Sequence, residues 1–133
     1  MTATYTFGTT LSQPIEVVLA NTEAALTDEG FGVLTRIDIA ATLKAKLGID
    51  RPAYLILGVC NPGLANRALE IDPSIGALLP CSVVLREADG AGTTIEILDP
   101  VVALAITGSD AVGPIAKEAA ERLRRVFDVV VGA

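Results

Sequence analysis

The sequence predicts an α+β domain: a mostly antiparallel sheet backed by helices on one face. Three observations carry that expectation. Short segments alternate apolar and polar residues at the period of a strand, whereas the segments between them repeat at helical spacing. Two late strands are joined by Asp89-Gly90-Ala91-Gly92, a turn too short for a crossover helix. A doubly wound parallel sheet requires strict alternation of strand and helix, and that alternation fails at this hairpin.

The first strand is expected at Thr4–Thr10, with Tyr5, Phe7 and Thr9 on one face. Ser12 as cap and Pro14 in the first turn start a helix. Its stripe is Ile15, Val18, Leu19, Thr22, Ala25 and Leu26, and Gly30 stops it. Phe31, Val33, Thr35 and Ile37 alternate as a second strand. Asp38 caps a short helix carrying Ile39, Leu43 and Leu47 on one side, and Gly48 closes it in the left-handed position. Tyr54–Cys60 is apolar on both faces, which predicts an interior strand.

Asn61 followed by Pro62 is a helix start, Asn capping and Pro filling the first helical position. Ala65, Ala68 and Leu69 are the expected buried stripe, and Pro73 ends the helix. Strands at Cys81–Glu87 and Thr93–Leu98 flank the hairpin turn. The last helix, from Asp110 to Val131, keeps one apolar face through Val112, Ile115, Ala116, Ala119, Leu123, Val126, Phe127 and Val130. On its wet face Glu118 precedes Arg122 and Glu121 precedes Arg125, each four residues apart as oriented ion pairs. Interleaved with Glu, those arginines describe a solvated face and not a nucleic-acid surface.

Composition restricts function. A chain of 133 residues is the length of one domain, and no linker, repeat or low-complexity tract divides it. With 51% hydrophobic residues, 4% aromatic and no Trp, its core is aliphatic. A formal net charge of −6 argues against nucleic acid, which needs clustered cations to displace counterions, and against an anionic membrane surface. The N-terminal Met1-Thr2-Ala3-Thr4-Tyr5 has neither a basic region nor a long apolar run, so a cytoplasmic protein with reduced thiols is expected. The chain contains no His, which excludes Ser-His-Asp and Cys-His catalysis in their usual forms and His-based zinc or iron sites. Two cysteines cannot close a four-thiolate zinc site. No metal or cofactor is assigned.

The chemistry therefore centres on Cys60 and Cys81, each framed by a proline (Cys60-Asn61-Pro62 and Pro80-Cys81). Cys60 ends a strand just before a helix N-terminus, where the dipole and unpaired amides lower a thiol pKa. Cys81 opens a strand, and strand order decides whether the two meet. Lys44 and Lys46 on the short helix are candidate nearby cations. Three readings stand side by side: buried apolar filler, a functional thiol alone or paired, and a metal or cofactor ligand shared across a dimer. Asn61 reads as a helix cap or a ligand contact. Asp99-Pro100 reads as a turn at a strand end, Lys46 as a side chain reaching solvent, and Gly58 as a place of close approach. The glycines form no Walker or Rossmann pattern.

On the residues Tyr54–Pro62, Ile75–Leu85 and Ile97–Pro100 the chain resembles the domain-of-unknown-function 302 family. Gly30–Thr35, Asp38, Thr42–Lys44 and Lys46–Gly48 fit as well, so the likeness spans nearly the whole chain. The resemblance implies a TATA-binding-protein-like α+β architecture (β-α-β4-α with short extra helices) and homodimerisation. It does not imply DNA binding. Many relatives carry Gly where this chain has Cys60, and the chain is similar to the subgroup with both cysteines. The family has no established activity. The expected function is a homodimeric small-ligand binding or sensing module, more a binder than an enzyme, with Cys60, Asn61, Cys81, Lys46 and Asp99 around a pocket. The alternatives are a thiol redox or sulfur-handling protein using Cys60 and Cys81, and an assembly subunit that dimerises through an apolar sheet face.

Overall fold

The structure is a computed structural model and describes residues 3–133. Met1 and Thr2, which the reading of the N-terminus included, lie outside the described residues. The elements are β1 (Thr6–Leu11), α1 (Ile15–Asp28), β2 (Gly32–Asp38), α2 (Ile39–Leu47), β3 (Tyr54–Cys60), α3 (Pro62–Ile71), β4 (Cys81–Glu87), β5 (Thr93–Leu98), α4 (Pro100–Leu104) and α5 (Gly113–Gly132). Two 3-10 turns, Pro73–Leu78 and Ala105–Thr107, follow α3 and α4.

One five-stranded sheet has the order β1-β5-β4-β3-β2, with every neighbouring pair antiparallel. Strands β2 to β5 are a meander. Helix α1 carries the chain from β1 at one edge to β2 at the other, so the order is the β-α-β4-α expected. β3 is interior, as its two apolar faces require, with β4 at the centre.

The register explains both faces. Leu57, Val83, Ile97 and Phe7 form one row across β3, β4, β5 and β1, and all four are buried. That row and Leu85, Ile95 and Val59 pack against Val18 and Leu26 of α1 and Leu123, Val126 and Val130 of α5. Phe7 meets Phe127 edge to face at 5.7 Å. The next row, Ile37–Ile56–Val84–Glu96–Gly8, points to the opposite face because successive strand residues alternate sides. On that face Arg86 donates to Glu96, which also accepts from Thr6 Oγ1 at 2.9 Å. The Arg86 hydrogen bond, against a smaller cost of burial, holds the Glu96 carboxyl below its ordinary pKa.

A second, smaller cluster lies beyond the sheet. Leu64 and Ala68 of α3, Ile75 of the first 3-10 turn and Val112, Ile115 and Ala119 pack together, with Leu79 and Leu104 at their margin. Helix α5 thus serves both clusters, its first half the small one and its second half the main core.

Several local expectations need correction. Ser12 does not cap α1; Pro14 occupies that position without a side-chain bond, and its carbonyl accepts from Val17 and Val18 N–H. α5 starts at Gly113, because Val112 and Gly113 close turns onto the Ser109 and Asp110 carbonyls instead of helical bonds. In α3 Ala68 is buried as expected, but its buried partner is Leu64, whereas Leu69 is 37% exposed. Glu118 pairs with Arg122 at 3.2 Å as expected, but Arg125 reaches Glu29 at 3.0 Å and not Glu121. Among the described residues no helix is long and apolar enough to cross a membrane.

Candidate functional site: a thiol-lined cavity

The two hydrophobic clusters do not close on each other completely. A cavity of about 40 Å³ remains at their seam, walled by Val59 and Phe31 on the sheet side and by Leu64, Ala68, Ile115 and Ala119 on the helix side. A water needs roughly 10–15 Å³ by the same measure, so the space admits a few heavy atoms. Cys60, Asn61 and Cys81 all contribute to its wall, together with Leu79, Pro100 and Leu104. None of these lining side chains carries a formal charge.

Each of the three polar residues is placed by its element. Cys81 opens β4 directly opposite Val59, so its side chain shares the core face. Pro80, just before it, packs on Gly58. A Cβ at Gly58 would stand 2.7 Å from Thr35 Cγ2 and 2.8 Å from Pro80 Cγ, so the strand glycine does mark a close approach. Cys60 is the last residue of β3, at the point where the chain turns into α3. Asn61 caps that helix, its Oδ1 accepting from Leu64 N–H at 3.2 Å. The Asn61 Nδ2 donates to the Glu29 carbonyl at 3.4 Å, which also accepts from Arg122 Nη1 at 3.1 Å. The end of α1, the start of α3 and the middle of α5 are thereby tied together at the cavity.

Both cysteines are free and partly buried. Burial raises the Cys60 pKa above its ordinary 9.0. Burial first, and the neighbouring Cys60 sulfur second, push Cys81 up to about 11. The lowered Cys60 pKa expected at a helix start is therefore corrected to a raised one. The Leu64 amide at the helix start is occupied by Asn61, and the walls around the sulfur are mostly apolar. Lys44, a candidate cation, pairs with Asp50 at 2.9 Å in solvent. At neutral pH the site presents two neutral, polarisable thiols.

Lys46 and Asp99 stand apart from this wall. Lys46 is exposed on α2. Asp99 caps α4, accepting from Val101 N–H at 3.0 Å, and it is Pro100 and Leu104 that reach the cavity. Leu79 and Leu104 were missed because Leu79 follows the 3-10 turn in extended backbone and Leu104 ends the five-residue α4, and segments this short leave no periodic signal. The one signal present was Asp99-Pro100 itself, an Asn61-Pro62-like helix start. Among the described residues no group of three or more His, Cys, Asp or Glu side chains is placed to hold a metal ion.

Comparison with known proteins agrees with this architecture. The family model described as "Domain of unknown function DUF302" matches residues 7–130. The crystal structure of an uncharacterized conserved DUF302 protein from Bacillus stearothermophilus is similar at 30% sequence identity and a TM-score of 0.88. The match covers 96% of this chain and 98% of that one. No curated protein matches the sequence.

Proposed function

The chain belongs to the DUF302 family, whose function is not established, and from the cavity's geometry we propose that it is a binding or sensing module for a small neutral ligand. The observation that carries this is the uncharged cavity at the seam of the two clusters, with Cys60, Asn61 and Cys81 in one wall. A charged ligand would lose its hydration there without a partner, whereas an apolar one gains by leaving water. Neutral thiols suit such a ligand because sulfur is soft and polarisable. The proposed location is the cytoplasm, where both thiols stay reduced.

The test is protection. A short alcohol such as 1-butanol is expected to slow alkylation of Cys60 and Cys81 in the folded protein and to raise its melting temperature. Filling the space with Ala119→Leu should abolish both effects. Unchanged alkylation rates and an unchanged melting temperature at saturating alcohol would remove the proposal.

The second reading, a dithiol redox site, is favoured by the shared cavity and opposed by the raised pKa of both thiols. The partner we propose is a second copy of the chain, docked on the sheet face opposite α1 and α5. Its support is the row Ile37, Ile56 and Val84 on that face, with Ile37 41% exposed. Sedimentation at micromolar concentration should show a dimer that Val84→Lys dissociates; a wild-type monomer would refute it.

A further inference from the structure

Two cavities, not one, lie against the N-terminal half of α5. Beside the thiol-lined space is a second, of about 160 Å³, walled by Val101, Ala105, Val112, Gly113 and Ala116 with Ser109 at its edge. Leu104 lines both. The consecutive α5 residues Ile115 and Ala116 face one cavity each, so the two spaces sit side by side along the same helix.

We infer that Leu104 is the partition between these spaces and sets the length of apolar chain the site accepts, the ligand being a neutral, unbranched alkyl compound. The inference rests on the small-ligand reading above and deepens it. The backbone that carries Leu104 is fixed at its start, since Asp99 caps α4 and Pro100 fills the first helical position. At its end the helix gives way at once to a 3-10 turn that closes on Gly108 in the left-handed conformation. The Leu104 side chain is only partly buried and packs at the margin of the small cluster. It lines the space on either side of it, so that truncating or displacing it would join the two. With Leu104 between them, a chain entering beside Cys60 and Cys81 meets a leucine wall. With Leu104 displaced, the chain continues along α5 over Ala116 and Gly113. Both stretches are mostly apolar and carry no charged side chain, which fits methylenes and disfavours a charged ligand. Asn61, the sole amide side chain in the first wall, would take a neutral polar end.

The experiment measures dissociation constants of 1-butanol, 1-hexanol and 1-octanol for the wild type, Leu104→Ala and Leu104→Phe, from amide shifts in ¹⁵N-¹H spectra. Each methylene that enters an apolar space tightens binding about fourfold. For the wild type the gain should level off along the series. For Leu104→Ala it should continue to 1-octanol, with new shifts at Gly113 and Ala116. Leu104→Phe should weaken the longer alcohols further. If Leu104→Ala is poorly folded, Leu104→Val, which keeps most of the side chain, should show the same extension in smaller measure. The same plateau in the wild type and in the shortened variants, with Gly113 and Ala116 unmoved, would overturn the inference alone. Failure of the wild type and every variant to bind 1-butanol would overturn the cavity reading and this inference with it.

Discussion

Ionisation of Cys81 is the most quantitative consequence of the cavity. Its thiol is pushed up to about 11 from an ordinary 9.0, chiefly by burial. At pH 8 a thiol at the ordinary value is about 10% thiolate, whereas one near 11 is about 0.1% thiolate, so Cys81 should alkylate about 100-fold more slowly folded than unfolded. The pH dependence has a definite sign. The folded pKa lies above the unfolded one, so the neutral thiol costs nothing extra below pH 9. Stability is lost as pH climbs through 9 toward 11, by about 3 kcal/mol in all. The assay is iodoacetamide labelling from pH 7 to 11 with peptide mass spectrometry, beside urea denaturation of wild type and Cys81→Ala over the same range. The wild type should lose stability relative to Cys81→Ala above pH 9. Labelling of folded Cys81 at pH 8 within a few-fold of the unfolded rate, or parallel stability curves for the two proteins, would refute the buried neutral thiol.

Three further outcomes follow from contacts at the same end of the sheet and across it. Gly58→Ala forces a methyl into Thr35 and Pro80 and should cost about 1–3 kcal/mol in urea denaturation, with Cys81 alkylation accelerated as Pro80 shifts; an unchanged midpoint would show the space is not filled. Asn61→Ala removes the α3 cap and should cost about 1 kcal/mol, while Asn61→Asp, which restores an accepting oxygen, should recover most of it. Glu96 has its folded pKa lowered by Arg86, so its contribution is present above its ordinary 4.5 and lost as pH falls through the depressed value. Stability of Glu96→Gln should therefore vary less with pH on the acid side than that of the wild type, and equal slopes in acid denaturation would contradict the pairing.

Much of the frame was legible because its signals are long or chemically specific. α5 keeps an apolar face over five turns, and burial of Ile115, Ala119, Leu123, Val126 and Val130 follows that face. Asp38 with Gly48, and Asn61 with Pro62, name helix ends by their hydrogen-bond chemistry, and each cap is formed. The hairpin turn specified its antiparallel pair directly. What escaped was short or depended on distant partners. The Pro73–Leu78 turn and α4 span six and five residues, too few for a period to show, yet they supply Ile75 and Leu104 around the cavity, with Leu79 just after the turn. The Cys60 shift runs opposite to the expectation from a helix N-terminus because burial, which depends on the tertiary packing around the sulfur, raises it. Arg125 was matched to the neighbour four residues away, while the tertiary fold brought Glu29 closer. Leu64 displaced Leu69 from the buried stripe because α3 packs with Ile75, Ile115 and Ala119 in the small cluster beyond the sheet.

The central claim is that the seam beside the two thiols is a ligand site. The most direct measurement is a ¹⁵N-¹H titration of the wild-type protein with 1-butanol. The account predicts saturable shifts concentrated at Val59, Cys60, Leu64, Leu79 and Ala119, with the distant hairpin residues Gly90 and Gly92 unmoved. Shifts that are absent, that grow linearly without saturating, or that spread evenly over the surface would contradict it.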